Sequence, residues 1–197
     1  MNRDEMLSIY DDELNELGVE LRSEIHSKGL LHQVVHCWII SKIDNEIWIY
    51  FQQRSYDKKD FPGCYDISAA GHINVGEDPN IAVKRETQEE IGIVIDSEKL
   101  KFIGSIKEKM CLDNFYNNEI CQVYLYCIEN PKFNLGLEVE KLVKITFEEL
   151  KKWILDGTED IEVFSVNNES KFIIKPEEFC AHEKEYLKYV IDFIEKL

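Results

Sequence analysis

Positive charge is what this sequence has least of: 23 lysines and arginines stand against 39 aspartates and glutamates, a formal net charge of -16. Nucleic-acid backbones and anionic membranes are recognised through basic patches, so neither is expected as a partner. The six cysteines, at 37, 64, 111, 121, 127 and 180, form no C-x-x-C pair and no zinc-finger spacing, and are expected as reduced thiols of a cytoplasmic protein. No window has the length and apolarity of a transmembrane span, and the opening MNRDEMLSIYDDE lacks the apolar core of a secretion signal. No internal repeat or low-complexity segment interrupts the chain. The remainder, 44% hydrophobic and 31% charged, has ordinary globular composition. One domain over residues 1–197 is expected, with an N-terminal hairpin extension over about 1–30 and a C-terminal helix over about 176–197.

Along the chain, Met6 to Tyr10 and Gly18 to Arg22 flank a polar turn and read as a two-stranded lead-in. After the polar, glycine-interrupted RSEIHSKGLLH, the run Val34 to Ser41 is a strand; Asp44-Asn45 marks a turn, and Glu46 to Gln53 alternates with Ile47, Ile49 and Phe51 on one face. RSYDKKDFPG reads as a loop, and Cys64 to Ala69 as a strand with Tyr65, Ile67 and Ala69 on one side. Leu100 to Glu108 and Glu119 to Ile128 are strands separated by KMCLDNFYNN, the longest expected irregular stretch. Val139 to Ile145 is another strand, and T-F-E-E from Thr146 opens a helix that ends at Gly157. A last helix starting near Pro176 lines up Phe179, Tyr186, Leu187, Val190, Ile191, Ile194 and Leu197; that stripe is read as core, with docking of a second copy in a homodimer as the alternative. The alternation of elements predicts an α/β fold, a mixed sheet between helices.

The densest chemistry lies in GHINVGEDPNIAVKRETQEEIGI, from Gly71 to Ile93. Asp78-Pro79 is a helix start and Gly92 a left-handed stop. On the helix between them Glu86, Glu89 and Glu90 stand at i, i+3 and i+4 and share one face. Carboxylates roughly 6 Å apart repel by about 3 kcal/mol per pair at an effective dielectric near 20, so a cation is expected among them. An all-oxygen set suits a hard ion, Mg2+ or Mn2+. The loop from Gly71 to Gly76 can aim a backbone carbonyl at the same ion.

This stretch supplies Gly71, Glu77, Arg85, Glu86, Glu89, Glu90, Gly92 and Ile93 to the pattern G-x5-E-x7-R-E-U-x-E-E-x-G-U, departing only at Thr87, and it resembles the signature of the Nudix hydrolases. The resemblance implies an α/β/α sandwich and metal-dependent hydrolysis of a diphosphate linked to another group. It implies Gly71, Glu86, Glu89 and Glu90 as metal ligands, and Arg85 as the residue that holds a glutamate in place. The general base is left among Glu119, Glu89 and Glu138.

Outside this box, His26, His32 and His36, then QQRS-x2-KK-x2-PG, DISAAGHINVGE and NNEICQVY resemble the Nudix branch related to type I isopentenyl-diphosphate isomerase, over roughly residues 5 to 155. That resemblance implies Arg54 and Lys58 as diphosphate contacts, Glu119 as an acid-base residue, and His26, His32 and His72 as ligands of a further metal, for which a structural role is the competing reading. His36 is read as core. Two departures separate the chain from the isomerases: Ala70 stands where they need a cysteine, and all three box glutamates are present where they keep one. Asn117 also replaces an acid. The expected function is hydrolysis of a small-molecule diphosphate: a nucleoside di- or triphosphate, a nucleoside diphosphate linked to another group, or a prenyl diphosphate. A non-catalytic nucleotide-binding module and an isomerase are the alternatives.

Overall fold

The structure, a computed structural model, describes residues 5–112 and 115–197. The first four residues of the expected N-terminal extension lie outside it. β1 (Met6–Tyr10) and β2 (Glu16–Leu21) pair antiparallel as a separate ribbon, the expected lead-in. Arg22–Lys28 then forms α1, about two turns that the polar sequence concealed. Gly29 at φ 66 ends it, and Ile25 and His26 are the residues it buries.

β3 (His32–Ile43) and β4 (Glu46–Arg54) form a hairpin around Asp44 and Asn45, whose φ values of 49 and 66 suit a tight turn of the hairpin type. Their pairing stops early, after Ile40 meets Ile49. β5 (Tyr65–Ile67) and β6 (Ala69–His72) fill the resulting wedge, β5 pairing with β4 and β6 with β3. Ser68, between them, stands where Ile39 and Tyr50 would have been the next pair. Its hydroxyl accepts from the Ile39 amide at 2.9 Å and donates to the Tyr50 carbonyl at 2.5 Å. One side chain thus satisfies backbone groups of both parting strands. The break also corrects the expected alternation: Tyr65 and Ile67 face one apolar cluster, and Ala69 faces the other.

α2 (Pro79–Ile91) follows, then β7 (Leu100–Leu112) and β8 (Phe115–Cys127). The loop expected over KMCLDNFYNN is overturned. The ladder continues to Leu112 opposite Phe115; Asp113 and Asn114 lie outside the described residues. The strand bonds there are made by backbone, so polar side chains on a partly exposed ribbon leave no apolar alternation to read.

β9 (Val139–Thr146) ends at the expected cap, Thr146 Oγ1 accepting from the Glu149 amide at 3.2 Å. α3 (Phe147–Lys151) continues as a π-helical turn, Lys152–Asp156, and stops at Gly157. β10 (Ile161–Ser165) and β11 (Lys171–Ile174) add an edge hairpin that the sequence reading missed. The expected last helix begins later. Pro176–Glu178 is one 3-10 turn, Phe179 bridges Tyr65 as a short parallel strand contact, and α4 spans only Lys184–Ile194. Cys180 donating its amide to the Tyr65 carbonyl at 2.7 Å is what keeps that segment extended. Leu197 is exposed rather than core.

The main sheet runs β11-β10-β9-β4-β3-β8-β7, with β3 and β8 parallel and the other neighbours antiparallel. β3 is buried on both faces, hence its nearly unbroken apolar run. Val35, Cys37 and Ile39 pack with Ala82, Val83 and Ile91 of α2. Val34, Trp38 and Ile40 pack on the opposite side with Leu150, Tyr186, Val190 and Ile191. The α4 stripe is therefore covered within the chain itself, and the mixed sheet lies between helices as expected.

Candidate functional site

α2 is built as its sequence dictates: Asp78 accepts from the Asn80 amide at 2.8 Å, Pro79 opens the first turn, and Gly92 at φ 72 closes the last. Ala82, Val83, Thr87 and Ile91 are buried in the sheet. That contact fixes the rotation of the helix and turns Glu86 and Glu90 toward β6. Glu90 is buried, its Oε2 accepting from Gln52 Nε2 and from the Ala70 amide, each at 2.9 Å. Glu86 lies against Gly71 so closely that a Cβ at position 71 would stand 2.2 Å from its carboxyl carbon. Burial pushes the Glu86 carboxyl up to about 7, and burial with the neighbouring Glu86 charge pushes Glu90 up to about 8. Glu89 differs: its side chain is 61% exposed and meets only the edge of Arg85, at 3.4 Å.

Besides the Glu89 contact, Arg85 is fixed from three directions. It grips Glu77 with two bonds of 2.9 and 2.8 Å, donates to Glu86 at 2.6 Å, and donates to the His72 carbonyl at 3.0 Å. Its guanidinium therefore ties the loop, the helix and β6 together. The hydrogen bond from Arg85 holds Glu77 ionised, below the ordinary carboxyl range.

β6 is one strand thick, so alternate residues serve opposite faces. Gly71 faces α2, whereas Ala70 and His72 point to the α4 side, opposite His36 and Val34 of β3. There His72 joins His26 and His32, with ligand nitrogens of the three within 4.8 Å of one another. His26 stacks on Phe115 at 4.4 Å, and neither of its buried ring nitrogens has a hydrogen-bond partner among the described residues. His32 is held at Nδ1 by the Leu30 carbonyl at 3.0 Å, and its Nε2 stands 3.3 Å from Glu119 without hydrogen-bond geometry. His72 meets Glu5 at 3.0 Å. Burial and the nearby His32 push His26 down to about 3, so it is a neutral imidazole with a lone pair to offer. Burial alone would raise Glu119, but the imidazoles facing it, His32 first among them, outweigh burial and hold the carboxyl at about 2. The side-chain oxygens of Asn117 and Asn118, from the same end of β8, are also buried without partners. Orphaned buried imidazole nitrogens beside one ionised carboxylate fit a bound cation.

The expected residues are thus sorted rather than gathered. Gly71, Arg85, Glu86, Glu89 and Glu90 lie on the α2 side, but the three glutamates are not drawn into one ligand cluster, Glu89 being turned to solvent; Glu119 lies on the other face of the sheet with the histidines. Glu138, the third base candidate, is exposed and paired to Lys58. Arg54 donates to the Asp60 carbonyl and to Asp66 Oδ2, the latter at 3.2 Å, while also feeling the charge of Glu90. Lys58 acts on Glu90 from a distance as well. Both cations therefore border the acidic face, but through internal partners that the sequence did not announce. Asp66 sits at the wedge, and its carboxylate also reaches His182 at 3.4 Å on the α4 side. Next to it opens a cavity of about 280 Å³ walled by Trp38, Phe51, Tyr65, Trp153 and Phe179. Gln52 and Asp66 were missed by sequence reasoning; a buried polar pair in the strand-loop-strand unit that feeds the box was the available signal.

Residues 30–167 match the family described as NUDIX domain. An uncharacterized Nudix hydrolase of Clostridium acetobutylicum is 33% identical over 198 residues, covering 95% of this chain and 96% of its own length. Isopentenyl-diphosphate Delta-isomerase 1 of Photorhabdus laumondii is 31% identical over 157 residues, 79% of this chain and 87% of that protein. A crystal structure from Deinococcus radiodurans superposes with a TM-score of 0.60 at 20% identity, over 78% of this chain and 90% of its own. This last likeness speaks for the fold alone.

Proposed function

This chain belongs to the Nudix hydrolase family, as a hydrolase of pyrophosphate bonds, and from that premise we propose that it cleaves a small-molecule diphosphate with Mg2+ or Mn2+. The observation that carries the reading is the packing of half-buried Glu86 and buried Glu90 against β6, two carboxylates whose pKa values are raised by desolvation and, for Glu90, by the charge of Glu86. Their all-oxygen set, with Glu89 beside them and the backbone of Gly71 lying against Glu86, fits a hard divalent cation. Family members use such ions in general. A cation bound there supplies charge neutralisation of the diphosphate and acidifies a water.

The chain's own groups do the rest. Glu89, the exposed member of the three and the one without a buried partner, takes the proton from the attacking water. Arg85 positions Glu86 and Glu77 and touches no reacting atom. Arg54 and Lys58 receive the substrate's phosphates at the border of the acidic face. A nucleoside di- or triphosphate, a nucleoside diphosphate linked to another group, or a prenyl diphosphate meets this description. A cytoplasmic setting agrees with the free thiols recorded for all six cysteines.

The orphaned nitrogens of His26 and His32 support a second cation centre, with His72 and Glu119 as the remaining donors. Glu119 is then a ligand on the α4 side rather than the base of the α2 side. Isomerase chemistry is disfavoured because Ala70, opposite His36, offers a methyl group where a proton donor is required.

A panel of nucleotides, nucleotide sugars and prenyl diphosphates with Mg2+ or Mn2+ tests the reading. Release of phosphate or a monophosphate from at least one is expected, and none from any would overturn it. Proton NMR of isopentenyl diphosphate in deuterated water separates the alternative: deuterium in an isomerised product would defeat the Ala70 argument.

A further inference from the structure

On the α4 side of the sheet, three strands bring together donors that neither diphosphate cleavage nor the histidine cluster employs. A ring nitrogen of His36 (β3), a carboxylate oxygen of Glu108 (β7) and the sulfur of Cys121 (β8) lie within 4.8 Å of one another, and all three residues are buried. We propose that they form a site for a zinc-class ion, chemically distinct from the hard-cation face of α2.

The donor set decides the class. Magnesium takes oxygen ligands, and a buried thiol is foreign to it; one imidazole, one thiolate and one carboxylate together suit Zn2+ or Co2+. At metal-ligand distances of about 2.0–2.3 Å, tetrahedral ligands stand roughly 3.3–3.8 Å apart, so the observed cluster needs side-chain shifts of about 1 Å to close. Within the ligand shell itself, a dication with one thiolate and one carboxylate is neutral, which limits the cost of burying it. Uptake releases the proton of the Cys121 thiol, and no other bond is made or broken.

The surroundings are organised as an outer layer of such a site would be. His36 is held at Nδ1 by Tyr186 Oη at 2.8 Å, and Tyr186 Oη in turn accepts from Trp38 Nε1 at 2.9 Å. The second ring nitrogen is left for a ligand. Glu108 accepts from His182 Nδ1 at 3.0 Å and from the Glu183 amide at 2.8 Å. A carboxylate has about four lone-pair positions, so these bonds orient Glu108 without exhausting it. Cys121 Sγ already points at Glu108 Oε2, at 3.5 Å. His182 and Glu183 precede α4, so the ion would fasten the C-terminal segment to β3, β7 and β8.

Cobalt spectroscopy on the reduced full-length protein tests the site. Titration with Co2+ should produce a near-ultraviolet thiolate-to-cobalt band that reaches saturation. Cys121→Ser should lose that band, and the double variant Glu89→Gln/Glu90→Gln should keep it. If the band is absent from the wild type, or survives Cys121→Ser, the proposal fails. Should Cys121→Ser not fold, zinc K-edge absorption of the fully zinc-loaded wild type replaces it: a sulfur scatterer is expected, and shells of only nitrogen and oxygen overturn the site.

Discussion

Glu90 and Glu119 are both buried carboxylates beside the same thin strand, yet their acidities are driven apart, to about 8 and about 2. Depth is not what separates them. Glu90 has a second carboxyl, Glu86, for a neighbour and only two neutral donors, Gln52 and the Ala70 amide. Glu119 is faced by imidazoles. Neighbours, more than burial, thus decide the sign of a shift. One side of β6 sets a second carboxyl beside Glu90; the other surrounds Glu119 with imidazole nitrogens.

The largest effect expected from that contrast is on turnover. Glu89→Gln and Glu90→Gln should each lower kcat on the order of a hundredfold or more, the scale for loss of a base or metal ligand. Glu119→Gln should leave Mn2+ affinity at the α2 face within about twofold, because distant sites contribute independently. Steady-state kinetics and Mn2+ titration read both, and a Glu90→Gln enzyme with wild-type kcat would erase the distinction between the faces.

Next in size is Gly71→Ala. Its added methyl collides with the Glu86 carboxyl, so Mn2+ affinity should drop on the order of tenfold and stability by about 1–3 kcal/mol. Denaturant melts and the same titration check it; unchanged affinity would mean that Glu86 is not a ligand. Arg54→Ala and Lys58→Ala are expected to raise KM several-fold with kcat little altered, the mark of uniform binding. Kinetics identical to wild type in both would return these cations to purely structural pairs.

The smallest effect is on pH-dependent stability. Glu86 and Glu90 have folded-state pKa values above the ordinary carboxyl value of 4.5. The folded chain therefore holds protons that the unfolded chain releases. Their contribution to stability is complete below about pH 4.5 and is lost as pH rises through 7 and 8. Metal-free wild type should lose Tm between about pH 5 and 8 more steeply than Glu90→Gln, and Mg2+ or Mn2+ should flatten the wild-type slope. Parallel slopes in calorimetry would count against the assignment.

The α2 face was legible in the sequence because its ligands lie on a single helix, where spacing is geometry. The histidine side was only partly so. His26 comes from a helix whose seven residues show no apolar period, His32 and Glu119 from paired strands, and His72 from across the wedge. No spacing along the chain encodes such a meeting. The β10–β11 hairpin and the late start of α4 escaped for a related reason: short edge strands and an extended segment are specified by the partner they meet, as Phe179 by Tyr65.

The break at Ser68 makes the chain around it behave like a reading frame. Downstream of it, odd-numbered residues address the acidic helix and even-numbered ones address the imidazoles: Ala69 and Gly71 to one, Ala70 and His72 to the other. A substitution at one position edits one compartment and leaves its neighbour intact, so Ala70 can diverge without touching the contact of Gly71 with Glu86. Inserting or deleting a single residue within Ala69–His72 would exchange the two lists, thrusting an imidazole at Glu86 and withdrawing it from His32. The chemistry of this chain can therefore be altered here by replacement, while the length of these four residues is closed to change.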